Sequence, residues 1–109
     1  DLSPASVNWS NISGTTQASN ANQTITSLST PINLRITYSD ALYILSYSKN
    51  GGGFSDLSPN DLVNVFNGDT LRFQATWGFF YSLGSDLVTV TNQATGMTLD
   101  TFTVSLSGS

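Results

Sequence analysis

The sequence contains no cysteine, no histidine and no glutamate among its 109 residues. The absence of cysteine excludes a disulfide framework. The absence of histidine and cysteine together excludes the Ser-His-Asp and Cys-His forms of nucleophilic catalysis, and it leaves zinc without its usual ligands. We therefore predict a protein that is not an enzyme and that carries no cofactor and no metal ion.

Charge is scarce as well, since charged residues make up 9% of the chain against about 25% in ordinary soluble proteins. The net charge is -4, and the only cations, Arg35, Lys49 and Arg72, are far apart in the sequence. Binding to nucleic acid or to an anionic membrane surface needs clustered cations. No apolar run approaches the ~18 residues of a membrane-spanning helix. We expect no nucleic-acid partner and no membrane insertion.

Alternation of apolar and polar residues is the dominant local pattern. Good helix formers are rare, and β-branched and aromatic residues dominate the apolar stretches. A period of two predicts strands with one buried and one wet face. The predicted strands span residues 7–12, 23–28, 32–38, 43–49, 62–65, 71–77, 87–92 and 99–106. The predicted core contains Leu34, Ile36, Phe73, Trp77, Val90 and Phe102.

Short strands separated by turn signals predict an all-β antiparallel sandwich of seven to nine strands. We expect one domain over residues 1–109, in which residues 1–22 form a lead-in strand and a polar loop. Residues 13–22 show no strand pattern and supply that loop. The chain begins at Asp1 without a methionine or a signal-peptide pattern, so a processed product and a segment of a longer protein both stay open.

Three consecutive glycines follow Asn50 and suggest two different structures. A phosphate-binding loop needs a lysine after the glycines and then a helix, whereas Lys49 precedes them here. Asn50 and the glycines can adopt positive φ angles, so a β-hairpin turn is the better prediction. Asn67-Gly68 predicts a second turn before the strand that follows it.

These segments together carry a resemblance to a known module. The order of QTIT (23–26), PINLRI (31–36), YSKNGGGF (47–54), VFNGDTLRFQA (65–75), VTVTN (88–92) and DTFTV (100–104) resembles a small immunoglobulin-like β-sandwich. That module recurs in bacterial secreted and cell-surface proteins and in virion proteins of tailed phages. The resemblance implies an immunoglobulin-like fold for the predicted sandwich. It also implies display or spacing outside a cell or on a virion, with no chemistry of its own. Our leading prediction is a non-enzymatic decoration module on the capsid or tail surface of a tailed phage, with the neighbouring structural proteins of the assembly as partners and the virion surface as location.

Two other functions stay open at this point. A stalk or repeat domain of a bacterial adhesin would place the chain outside the cell or on the bacterial cell surface. A carbohydrate-binding module would bind a surface glycan through aromatic side chains.

Calcium is the one plausible ion, with Asp56, Asn60 and Asp61 as weak candidates, because this segment lacks the twelve-residue loop pattern. Aspartates beside turns more commonly cap the backbone.

Two segments depart from the module and mark places where this chain has a function of its own. One is the opening segment with Trp9, and the other is the aromatic cluster over residues 76–84. Phe79, Phe80 and Tyr81 follow Gly78 and cannot all point inward, because successive strand residues point to opposite sides. Exposed aromatic side chains concentrate binding energy at interfaces, so we predict that these three contact a partner protein. The competing interpretation is that this loop caps the open end of the sandwich.

Overall fold

The computed structural model describes residues 7–38, 43–77 and 84–106. This part of the chain forms ten strands and no helix, which confirms the all-β prediction and corrects the predicted count of seven to nine. The strands are β1 (Ile12–Gly14), β2 (Gln17–Ser19), β3 (Gln23–Thr24), β4 (Ile32–Thr37), β5 (Ile44–Lys49), β6 (Ser55–Leu57), β7 (Asp61–Val65), β8 (Thr70–Thr76), β9 (Gly84–Asn92) and β10 (Thr98–Leu106).

The strands form two sheets that pack face to face. Sheet 1 has the order β1-β10-β9-β4-β7, and sheet 2 has the order β2-β8-β5-β6, with β3 also paired to β8. Neighbouring strands are antiparallel except β1, which runs parallel to β10. The rings of Phe73 in sheet 2 and Phe102 in sheet 1 lie 5.2 Å apart between the sheets. All six predicted core residues are buried, as expected from the alternation.

β8 shows why the sequence folds this way. Leu71, Phe73 and Ala75 are fully buried, whereas the residues between them are partly exposed. The register places Ala75 opposite Leu45 and Phe73 opposite Tyr47 in β5, so both strands present apolar side chains to the same interior. Burying each such large side chain contributes roughly 1.5–3 kcal/mol.

Both predicted turns are confirmed by their backbone geometry. Asn50 and Gly51 have φ angles of 56° and 75°, as a type I′ turn requires at its two central residues. Gly52 N–H closes that turn on the Lys49 carbonyl at 3.1 Å. Gly68 has a φ of 94° in a turn that the Asp69 N–H closes on the Phe66 carbonyl at 3.1 Å.

The N-terminal third differs from the prediction. Residues 7–11, predicted as strand, form none, and the predicted loop 13–22 contains β2 and most of β1. The reason is that Trp9 leaves the strand ladder and enters the space between the sheets, where it is buried. A Cβ on Gly14 would lie 2.9 Å from the Ala18 Cβ, so glycine permits the close packing of β1 and β2.

Two smaller corrections concern short strands. Of the predicted strand 23–28 only β3 forms, because the backbone of Ile25 makes hydrogen bonds with the second turn instead of with a strand. Its N–H donates to the Asp69 carbonyl, and its carbonyl accepts from Gly68 N–H, both at 2.7 Å. β6 was not predicted. Its three residues contain exposed Ser55 and Asp56 and only one buried residue, so no alternation is visible.

Candidate functional site

The predicted contact residues Phe79, Phe80 and Tyr81 lie outside the residues that the structure describes. Their flanks are described. Trp77 follows β8 and is buried, which confirms its predicted place in the core, and β9 begins at Gly84. The geometry of these flanks defines the end of the sandwich from which the aromatic segment leaves, which we call the loop end.

Two tyrosines at the loop end contact each other through their rings and donate hydrogen bonds through their hydroxyl groups. Tyr38 and Tyr43 flank residues 39–42, and their ring centroids lie 5.2 Å apart. The Tyr43 hydroxyl donates a hydrogen bond to Asp86 Oδ2 at 2.7 Å, and the Tyr38 hydroxyl donates one to the Leu57 carbonyl. Since Tyr43 precedes β5 and Asp86 lies in β9, these bonds join the two sheets where residues 39–42 and 78–83 depart.

Tyr43 is held in its neutral form. Burial first, then the hydrogen bond to Asp86 and the electrostatic interactions with Asp86 and Tyr38, raise the pKa of the Tyr43 hydroxyl well above its ordinary value. The proton therefore stays between the two side chains over the whole physiological range. The arrangement is a structural latch, because a phenol that keeps its proton serves as a donor and not as a base.

Trp77 is fixed from the other side by the N-terminal strands. Its backbone N–H donates to the Thr16 carbonyl at 2.9 Å. A Cβ on Gly14 would lie 3.3 Å from its Cζ3, so the indole packs tightly over the β1–β2 connection. The start of the aromatic segment is thus set by a buried side chain and a backbone hydrogen bond.

The opposite end of the sandwich is closed by the two Asn-Gly turns. Asn50 Nδ2 donates to Asp69 Oδ1, and Asn50 Oδ1 accepts from Thr70 N–H, both at 2.9 Å. Asp69 Oδ2 also accepts from Phe66 N–H at 2.8 Å. The hydrogen bond from Asn50 and then that from Phe66 lower the pKa of the Asp69 carboxyl. We call Asn50 and Asp69 the turn clamp.

The candidate calcium ligands hold other hydrogen bonds. Asp56 Oδ1 accepts from the Ser46 hydroxyl at 2.8 Å, Asn60 Oδ1 accepts from the Thr37 hydroxyl at 3.1 Å, and Asp61 Oδ2 accepts from Ser58 N–H at 2.8 Å. Only the contact of Asp61 with a backbone N–H is the capping expected of an aspartate beside a turn, whereas Asp56 and Asn60 accept from side-chain hydroxyl groups. In the described part of the chain, no group of three or more His, Cys, Asp or Glu side chains is placed to hold a metal ion.

Trp9, in the opening segment for which we expected a function of its own, is a core residue. The Trp9 ring contacts Phe73 edge to face at a centroid distance of 5.2 Å, and its side chain is buried in the core. Asn20, which sequence reasoning did not single out, has a related structural role. It donates to the Ser10 carbonyl at 3.1 Å and accepts from Phe73 N–H at 2.9 Å. No local sequence signal distinguishes it from the other asparagines.

The outer faces of the two sheets differ in chemistry. On sheet 1, Thr37, Thr89 and Thr101 are opposite one another on three adjacent strands. On sheet 2, the Arg72 guanidinium lies over the Phe54 ring, 5.0 Å from its centroid. Hydroxyl groups therefore contribute to the polarity of the outer face of sheet 1, in agreement with the low charge of the chain.

Comparison with protein-family models, with curated proteins and with solved structures finds no match for this chain. Among the described residues, no helix is long and apolar enough to cross a membrane.

Proposed function

We propose that the chain is a non-enzymatic decoration module of a tailed-phage particle, which binds a neighbouring structural protein through Phe79, Phe80 and Tyr81. The observation that supports this most is the latch at the loop end. Tyr43 and Asp86 join the sheets, and Trp77, which comes directly before the aromatic segment in the sequence, is buried. A rigid base lowers the entropy cost of presenting side chains to a partner.

We also propose that the two sheets form an immunoglobulin-like sandwich. In an immunoglobulin domain, strand E lies between B and D, and strand F lies between C and G. Here β8 lies between β2 and β5, and β9 lies between β4 and β10. This order supports an immunoglobulin-like sandwich in which β6 and β7 are additional strands, one at the edge of each sheet.

The phage assignment rests on the resemblance of the sequence segments. The threonines beside Arg35 on the outer face of sheet 1 support an outward position, because hydroxyl groups keep a face hydrated with little charge. The adhesin stalk is the second candidate, and one observation favours it. β1 and β10 are parallel, so the first strand starts at one end of their pairing and the last strand stops at the other. That arrangement suits domains linked in series.

The experiment replaces Phe79, Phe80 and Tyr81 singly by serine and measures the melting temperature and the incorporation into particles assembled with each variant. We expect normal melting and reduced incorporation for at least one variant. Phe66→Ser is the matched control, because Phe66 is 54% exposed at the opposite end of the sandwich. It should leave incorporation unchanged.

Other outcomes point to the alternatives. A collapse in melting temperature with normal incorporation of the folded fraction means that the aromatic segment caps the core, and the contact proposal is then wrong. Binding of glycan arrays that is lost in Tyr81→Ser favours the carbohydrate-binding module. Tandem copies of similar domains in the parent gene favour the adhesin stalk, whereas neighbouring capsid or tail genes favour the virion.

A further inference from the structure

We propose that two copies of this chain pair edge to edge through β7, with Lys49 of each copy facing Asp61 of the other. Among the strands that the structure describes, β7 pairs only with β4, so it forms an edge of sheet 1. Leu62 on this edge is 46% exposed. An edge strand offers backbone groups for pairing with another chain. This surface includes none of residues 78–84 and does not depend on the function proposed above.

The contact of Lys49 shows which backbone groups face the edge. Lys49 Nζ reaches across from sheet 2 and donates to the Asn64 carbonyl at 3.1 Å, so this carbonyl points away from β4. In an antiparallel ladder, alternate residues direct both N–H and C=O to the same side. Leu62 therefore presents its backbone groups to the edge as Asn64 does.

The spacing of these groups suits a two-fold arrangement. With Val63 on the axis and the strands antiparallel, Leu62 of one copy is opposite Asn64 of the other, and each such pair can exchange both backbone hydrogen bonds. The same patch then serves both partners, which is the defining property of a two-fold interface. Sheet 1 would continue from one copy into the other.

Charge complementarity favours a second copy of this chain as the partner that pairs with this edge. In that register Asp61 is opposite Val65 of the second copy, next to the Asn64 carbonyl where Lys49 ends. Lys49 can move from this carbonyl to the carboxylate of Asp61 in the second copy, and symmetry makes the contact twice. In the single chain, Lys49 covers the edge, as lysines on edge strands commonly do. In the pair, the same lysine becomes half of an ion pair, so pairing should be weak and reversible.

The test is sedimentation of the chain over a wide range of concentration at low salt. We expect reversible dimerisation that weakens as salt is added, because the ion pairs are exposed. Lys49→Glu and Asp61→Lys should each weaken dimerisation about tenfold, since both equivalent contacts change from attraction to repulsion. Arg72→Glu changes the net charge as Lys49→Glu does but lies on the outer face of sheet 2, and it should leave dimerisation unchanged.

A mixture of the Lys49→Glu and Asp61→Lys chains distinguishes this interface from any other. In the mixed dimer the two substituted side chains, now of opposite charge, face each other at one contact. The unchanged Lys49 and Asp61 face each other at the second contact, so the mixture should dimerise as the wild type does. Circular dichroism and melting curves establish that each variant is folded. The proposal is overturned if the wild type stays monomeric at every concentration, or if mixing fails to restore dimers of folded variants.

Discussion

The Trp9 indole Nε1 donates a hydrogen bond to the Leu71 carbonyl at 2.8 Å in the interior of the molecule. The backbone N–H of the same residue donates to Asp100 Oδ2 at 2.6 Å. Leu71 belongs to β8 and Asp100 to β10, so one residue outside the strand ladders ties the two sheets together. Val7 and Trp9, which precede β1, are therefore part of the folded core.

Trp9→Phe should lower the free energy of unfolding by about 1–3 kcal/mol, because it removes a buried donor while keeping an aromatic ring. Urea unfolding followed by circular dichroism measures the loss. Trp77→Phe makes the same change of side chain at the loop end and serves as the comparison. A smaller loss for Trp9→Phe than for Trp77→Phe would contradict the importance of the bond to Leu71.

Phe73→Ala should cost roughly 3–5 kcal/mol, because a cavity opens at the centre of the core. Phe73 is fully buried and contacts the rings of both Trp9 and Phe102. Since a domain is stable by only about 5–15 kcal/mol, the variant should be close to unfolded. Gln74→Ala is the control, as Gln74 is on the outer face of the same strand. A melting shift of only a few degrees for Phe73→Ala would show that the packing is wrong.

Tyr43 makes stability sensitive to alkali. The folded state raises the pKa of Tyr43, so its neutral form stabilises the fold fully below the ordinary tyrosine pKa of about 10, and this contribution decreases as the pH rises further. Tyr43→Phe should therefore be less stable than the wild type at pH 7 and should lose less on going above pH ~10. Equal slopes of unfolding free energy against pH for the two proteins would refute the latch.

Asp69 makes stability sensitive to acid. Because the folded state lowers its pKa, the carboxylate stabilises the fold above the ordinary aspartate value of about 3.9, and the contribution is lost as the pH falls through the lower folded value. Asp69→Asn should have a lower free energy of unfolding than the wild type at pH 7, and this gap between the two proteins should close in acid. Asn50→Ala, which removes the other half of the turn clamp, should reduce the effect of Asp69→Asn. A gap that is constant with pH would exclude a role for the charge.

Chelation should leave the melting temperature unchanged, because the oxygens of Asp56, Asn60 and Asp61 already accept hydrogen bonds from other protein groups. Melting curves with and without EDTA measure this. A large drop in melting temperature with EDTA that is reversed by added calcium would identify these three residues as a metal site.

The sequence predicted those parts of the fold that depend on local rules. The alternation in β4, β8 and β10 and the positive φ angles of Asn50 and Gly68 are set within a few residues. β1 and β2 have three residues each, which are too few for an alternating pattern to be recognised in the sequence. β1 exists because Ile12 is opposite Val104 in β10, a partner that no local pattern reveals.

The features of the candidate site also fall into those that the sequence shows and those that it does not. The run of aromatics after Gly78 is visible in the sequence, and so is the inward position of Trp77. The latch is not, because Tyr43 and Asp86 are 43 residues apart in the chain and neither is part of a motif. The burial of Trp9 was not predicted either, for a related reason. Its burial depends on acceptors in β8 and β10, which the sequence of its own segment does not show.

The parallel pairing of β1 with β10 has a mechanical consequence. Residues 9–14 run alongside β10, joined by Trp9 to Asp100, by Asn11 Oδ1 to Thr103 N–H at 2.9 Å, and by the ladder from Ile12 to Gly14. A pull that separates the start of this segment from the end of β10 acts along the strands. The hydrogen bonds between them then carry the load together and must break almost at once, whereas strands peeled from one end lose their bonds singly. Tension along the chain should therefore meet its greatest resistance at the contact between the first strand and the last.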